Sequence, residues 1–138
     1  MRRKLSPPLA ALVVLRAGRR CEYCHAPQQL IEQVFHFDHI HPLSAGGETH
    51  AENLCFACPH CNVAKSNAVE GTDPKTGKTV CLFNPRVDAW EKHFRWSEDW
   101  KQVIGRTAIG RATVVALNMN DKLLQEARYY WRLAGGLP

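Results

Sequence analysis

Two Cys-x-x-Cys pairs constrain this chain more than any other feature. Cys21-Glu22-Tyr23-Cys24 and Cys58-Pro59-His60-Cys61 are separated by the 33 residues from 25 to 57. Each tight turn presents two sulfurs, and four soft thiolates suit the tetrahedral shell of Zn2+. A simple zinc ribbon spaces its pairs by roughly 15–20 residues. The longer gap here requires something folded between the knuckles. Cys55 complicates the choice, because Cys55-x-x-Cys58-x-x-Cys61 offers two overlapping pairs. Pro59 and His60 make a compact turn, whereas Cys55 sits in the apolar run Leu54-Cys55-Phe56-Ala57. The expected structural zinc ligands are therefore Cys21, Cys24, Cys58 and Cys61, with Cys55 a buried free thiol. Cys81, in Val80-Cys81-Leu82, takes the same buried reading.

Metal ligation presupposes a reducing compartment, and the start of the chain bears on that. Met1-Arg2-Arg3-Lys4 followed by Leu9-Ala-Ala-Leu-Val-Val-Leu15 faintly imitates a secretory leader. Pro7 and Pro8 precede the short apolar run, and Arg16, Arg19 and Arg20 follow it where small residues would be wanted. A membrane span needs about 20 apolar residues, which this run does not supply. The expectation is a cytoplasmic protein with no membrane partner, in which paired cysteines bind metal rather than each other. The formal charge of +5 and a pI near 9.0 favour an anionic partner such as nucleic acid.

The length of 138 residues suits a modest core. Pro7 and Pro8 suit the first turn of a helix that runs through Arg16 and stops at Gly18. Leu30 to His39, with Val34, Phe35 and Phe37, reads as a strand. Asn53 to Ala57 reads as a second strand or the approach to the second knuckle. Cys61 to Val69 reads as a helix, and Gly71 to Thr79 as a turn-rich connector. Further on, the pattern predicts a short helix over 87–94. A hairpin follows, pairing Phe94–Trp96 with Gln102–Gly105. Thr107 caps a helix over 108–117. In the last helix Leu123, Leu124, Ala127, Tyr130, Trp131 and Ala134 form one apolar face that ends at Gly135.

The segment between the knuckles carries the chemistry. It reads Phe37-Asp38-His39-Ile40-His41-Pro42, then Gly46-Gly47, then Asn53-Leu54, and the second knuckle continues Cys61-Asn62-Val63-Ala64-Lys65. In this order the residues resemble the HNH nucleases: Cys-x-x-Cys, Asp-His-Ile-x-Pro, Gly-Gly, Asn-Leu, then Cys-x-x-Cys followed by His or Asn and a nearby Lys. The likeness covers about residues 5–69. It implies an α+β fold with a small zinc-stapled ββα-metal core over 1–70, preceded by a helix at its N-terminus. Residues 71–138 would form a mostly helical extension packed on that core, and they resemble an extension found in one bacterial branch of such proteins.

Phosphodiester hydrolysis needs an activated water, charge neutralisation at the phosphate and help for the leaving oxygen. His39 suits the general base, since imidazole titrates near neutral pH. Asp38 offers a hard carboxylate, and Asn62 a carbonyl oxygen where many relatives have His. With substrate oxygens and waters these make an adequate shell for catalytic Mg2+ or Mn2+. The resemblance assigns Asn53 to bracing the loop that orients His39. Lys65 is a candidate contact to a DNA phosphate, with a solvated helix face as the plain alternative. Asn62 could equally cap its helix.

On a regular strand Asp38 and His39 would point to opposite faces, so both serve one site only if the strand bends or ends there. The expectation is a metal-dependent DNA endonuclease. Its alternative is a zinc-stabilised nucleic-acid-binding module without turnover. One site cuts one strand at a time, so a double-strand break would take a homodimer or two encounters.

Overall fold

Local signals build the first helix of the computed structural model, which describes residues 5–137. Residues 1–4 of the leader-like start lie outside that range. Pro7 and Pro8 fix the first turn of α1 (Pro7–Arg16), and Ser6 caps it by accepting from Leu9 N–H. Gly18, at φ +62°, turns the chain out of the helix.

The centre of the fold is a two-stranded antiparallel hairpin feeding a helix. β1 (His36–His39) pairs with β2 (Leu54–Ala57) in the register His36 with Ala57 through His39 with Leu54. The expected strand over 30–39 shrinks to its last four residues. Its partner is only four residues long, and no strand among the described residues pairs with residues 31–35. Gln28–Leu30 forms a single 3-10 turn instead. Phe35 still enters the core, but Val34 is 81% exposed. The expected helix over 61–69 shifts backwards to α2 (Pro59–Lys65). Cys58 is its cap, accepting from Cys61 N–H through Sγ, and Pro59 fills the first position. Ser66, at φ +51°, ends it.

The 71–79 connector is a hairpin of β3 (Glu70–Thr72) and β4 (Thr79–Cys81). Cys81 is exposed on this short edge, which corrects its expected burial. The helix expected over 87–94 is only the single turn α3 (Trp90–His93). Asn84 N–H is bonded to Asp88 Oδ2 and Asp88 N–H to Asn84 carbonyl, closing a separate turn ahead of it. The hairpin of β5 (Phe94–Trp96) and β6 (Val103–Gly105), and α4 (Ala108–Ala116) capped by Thr107, follow the sequence reading.

In α5 (Lys122–Leu133) the buried face is rotated from the expected one. Leu123 is 72% exposed, while Arg128 is 1% exposed. The inward residues are Leu124, Ala127, Arg128 and Trp131. One apolar cluster joins both ends of the chain, from Val13 and Tyr23 through Leu54 and Phe56 to Phe83, Phe94, Leu117 and Met119. Among the described residues no helix is long and apolar enough to cross a membrane.

Candidate active site and metal centre

The two knuckles close on each other. The Sγ atoms of Cys21, Cys24, Cys58 and Cys61 all lie within 4.8 Å of one another, and all four residues are buried. Cys24 Sγ and Cys58 Sγ are 3.7 Å apart. Tetrahedral zinc with Zn–S bonds of 2.3 Å would set sulfur–sulfur edges of about 3.8 Å. Each knuckle is shaped by an N–H to sulfur bond, Cys24 to Cys21 at 3.5 Å and Cys61 to Cys58 at 3.4 Å. Hydrogen bonds from Cys21 and its neighbours draw Cys58 strongly down, while the same contacts push Cys24 and Cys61 up. Four thiols this close cannot all ionise unless a cation compensates them. The donor set fits zinc and no harder ion.

Cys55 stays outside this cluster. Its Sγ lies 3.4 Å from Tyr23 Oη and 3.7 Å from Asp38 Oδ2, and burial pushes its thiol well up. It is the buried, unligated thiol that its apolar surroundings predict.

Asp38, His39 and Asn62 line one open cleft of about 500 Å³, with Phe37, Pro42, Leu43 and Ser66. The adjacency of Asp38 and His39 is accommodated because β1 ends at His39. Asp38 turns inward and is 6% exposed, whereas His39 is half-buried at the strand end. Thr49 Oγ1 lies 2.9 Å from His39 Nε2 and holds the ring from the opposite side of the loop.

That loop is tied off by Asn53. Its Oδ1 accepts from His41 N–H at 2.8 Å, and its Nδ2 donates to the carbonyls of His41 at 3.0 Å and Glu48 at 2.7 Å. Gly47 is needed where the loop folds back, since a Cβ there would sit 1.9 Å from the His41 carbonyl oxygen. Asn62 rides on the first turns of α2, directly after the knuckle cysteine.

Lys65 does not sit where a phosphate contact was expected. Its side chain is 2% exposed, and Nζ lies 3.1 Å from Asp38 Oδ2. The pair is ionic only, as no hydrogen-bond geometry is met at Nζ. Helical spacing carries the side chain to the face of α2 that packs under β1.

Sequence reasoning missed Tyr23, whose hydroxyl donates to Asp38 Oδ2 at 2.9 Å. Burial, with Cys55 and Asp38 beside it, raises its pKa well above the usual phenol, so it stays a donor. The available signal was a large aromatic inside a four-residue knuckle. Glu22 beside it accepts from Phe56 N–H and pairs with Arg86, locking the knuckle to β2. Arg128 was missed too. It donates to the Lys101 carbonyl at 2.7 Å and to the Met119 carbonyl, with no carboxylate in ion-pair range among the described residues.

A short antiparallel hairpin leading into a helix, with four cysteines clustered so that they could hold a metal, defines a small α+β domain of the ββα type. Residues 21–68 match the family model of the HNH endonuclease, so the chain carries an HNH domain over that segment. No curated protein and no solved structure matches the chain.

Proposed function

We propose that the protein is a metal-dependent DNA endonuclease in which His39 is the general base and Asp38 and Asn62 hold a divalent cation, Mg2+ or Mn2+. The observation that carries this reading is the convergence of these three side chains on one open cleft. Basic net charge supports an anionic substrate. The HNH match over 21–68 supports nucleic-acid chemistry in general.

In this reading His39 takes a proton from a water in the cleft, and the water oxygen forms a bond to phosphorus. The opposite P–O ester bond breaks, and its oxygen leaves with a proton from solvent. When bound, the cation supplies Lewis acidity and a fixed orientation for the scissile phosphate. Thr49 holds the imidazole and Asn53 holds the loop, so little reorganisation is required of either. The cysteine cluster takes no part in the reaction. Its zinc would pin β2 and α2 to the first knuckle.

A plasmid-nicking assay with Mg2+ or Mn2+, with and without chelator, tests the proposal. Nicking should require the metal, and His39→Ala should lower it by about 10²–10⁴-fold with zinc content unchanged. Tight DNA binding with no nicking under any metal would instead establish a binding module without turnover.

A further inference from the structure

Three polar groups, two of them hydrogen-bond donors and one an ammonium, converge on a single oxygen of Asp38. Tyr23 Oη lies at 2.9 Å, Lys65 Nζ at 3.1 Å and Cys55 Sγ at 3.7 Å, all from Oδ2. All three lie on the Oδ2 side of the carboxylate. A carboxylate is planar, so fixing one oxygen from several sides also fixes where the other points. Asp38 lines the cleft beside His39 and Asn62, and Oδ1 is the oxygen that these three contacts leave for a ligand there.

Stability does not explain this arrangement. A buried ammonium with one ionic partner and no hydrogen bond is costly, and apolar replacements of such pairs are often neutral or better. The hydroxyl of a buried tyrosine facing the same oxygen adds direction rather than net charge. Tyr23 is itself held at both ends. Trp90 Nε1 donates to its carbonyl at 2.8 Å, and its neighbours Cys21 and Cys24 belong to the four-sulfur cluster.

We infer that Tyr23 is a positioning residue: with Lys65 it clamps Asp38 Oδ2 so that Oδ1 alone is presented to the catalytic cation, and the zinc knuckle sets the clamp's alignment. The inference rests on the reading of Asp38 as a cation ligand. It gives the structural zinc a direct mechanical route to the cleft, through a side chain lodged between two of its ligands.

The test uses the full zinc-loaded chain with Mn2+ as the probe. Binding is followed by the electron paramagnetic resonance signal of free Mn2+ in wild type, Asp38→Asn and Tyr23→Phe. Zinc content is measured on each sample. Tyr23→Phe should keep its zinc and weaken Mn2+ binding about tenfold, the effect usual for losing a group that orients a metal ligand. Half-maximal nicking should move to correspondingly higher Mn2+, while the KM for DNA holds. A merely structural role would lower the active fraction without shifting the Mn2+ dependence.

Wild-type Mn2+ affinity in Tyr23→Phe, alongside a lost site in Asp38→Asn, overturns the clamp. So does a Tyr23→Phe chain that cannot fold with zinc bound. Unaltered Mn2+ binding in Asp38→Asn sinks the underlying assignment of Asp38 instead.

Discussion

Asn53 is bonded to His41 twice, its Oδ1 accepting from the His41 N–H while its Nδ2 donates to the His41 carbonyl. A third bond, to the Glu48 carbonyl, closes the loop from its far end. Thr49, which holds the His39 ring, is the residue that follows Glu48. The geometry of the imidazole therefore depends on a side chain that never reaches the cleft.

Asn53→Ala removes all three bonds from a buried position and should cost about 2–3 kcal/mol in urea unfolding. Turnover should fall as well. Asn53→Asp keeps the acceptor but turns a carboxylate oxygen towards two carbonyls, so it should fare no better. Unfolding curves of both variants that overlay the wild type would remove Asn53 as the loop's tie.

The cysteines separate cleanly by role. Cys58→Ser should abolish zinc binding and cooperative thermal unfolding, because structural zinc contributes folding free energy directly. Cys55→Ala should keep one zinc per chain by elemental analysis and lose only about 1 kcal/mol. Zinc lost from Cys55→Ala would mean that the overlapping pair had been divided wrongly.

The β3–β4 hairpin is held to α4 by Asp73, which Arg111 grips with two nitrogens at 2.9 and 3.0 Å. Its carboxyl is covered by its own turn and by Arg111 near the protein's edge. The Arg111 hydrogen bonds hold its pKa well below the usual carboxylate range. A depressed folded-state pKa means that the contribution is full above the unfolded value and fades as pH falls towards the folded one. Asp73→Asn should thus be less stable than wild type at pH 6–7, with the gap closing below about pH 4. A gap independent of pH in thermal melts would show that the charge is irrelevant.

Arg128 is buried with no carboxylate partner among the described residues, and burial pulls its pKa down while charge on Cys24, Cys61, Cys58 and Cys21 opposes that. A zinc tetrathiolate carries a net charge of about −2, which would balance the guanidinium. Arg128→Met should weaken zinc retention about tenfold in chelator competition. Arg128→Lys should recover most of it, which loss of packing alone would not permit.

Much of the fold was legible because its signals are local. Pro7 and Pro8, Thr107, Gly18 and Gly135 act on their own turns, and the elements they bound sit where the sequence puts them. The extent of β1 was not legible, because it is set by the length of β2. Lys65 reads as a surface lysine until α2 is seen to lie under Asp38. The face of α5 was misjudged for a related reason: an apolar-stripe reading sends every arginine outward. The three residues of the cleft were visible in the Asp-His and Cys-Asn pairs. The residues that orient them, Tyr23 and Thr49, act across the fold; Thr49 leaves no pattern in sequence, and Tyr23 only that of an aromatic inside the first knuckle.

His60 Nε2 lies 2.8 Å from the Asn118 carbonyl and 3.1 Å from that of Leu117, so the second knuckle leans on the chain's last third. Trp90 grips the first knuckle in the same way. Residues 21–68 are consequently a poor transplant. Grafted alone into a fusion, they would leave behind the groups that seal the backs of both knuckles. Any chimera that borrows this domain should carry the chain through at least α4 and the 117–119 segment.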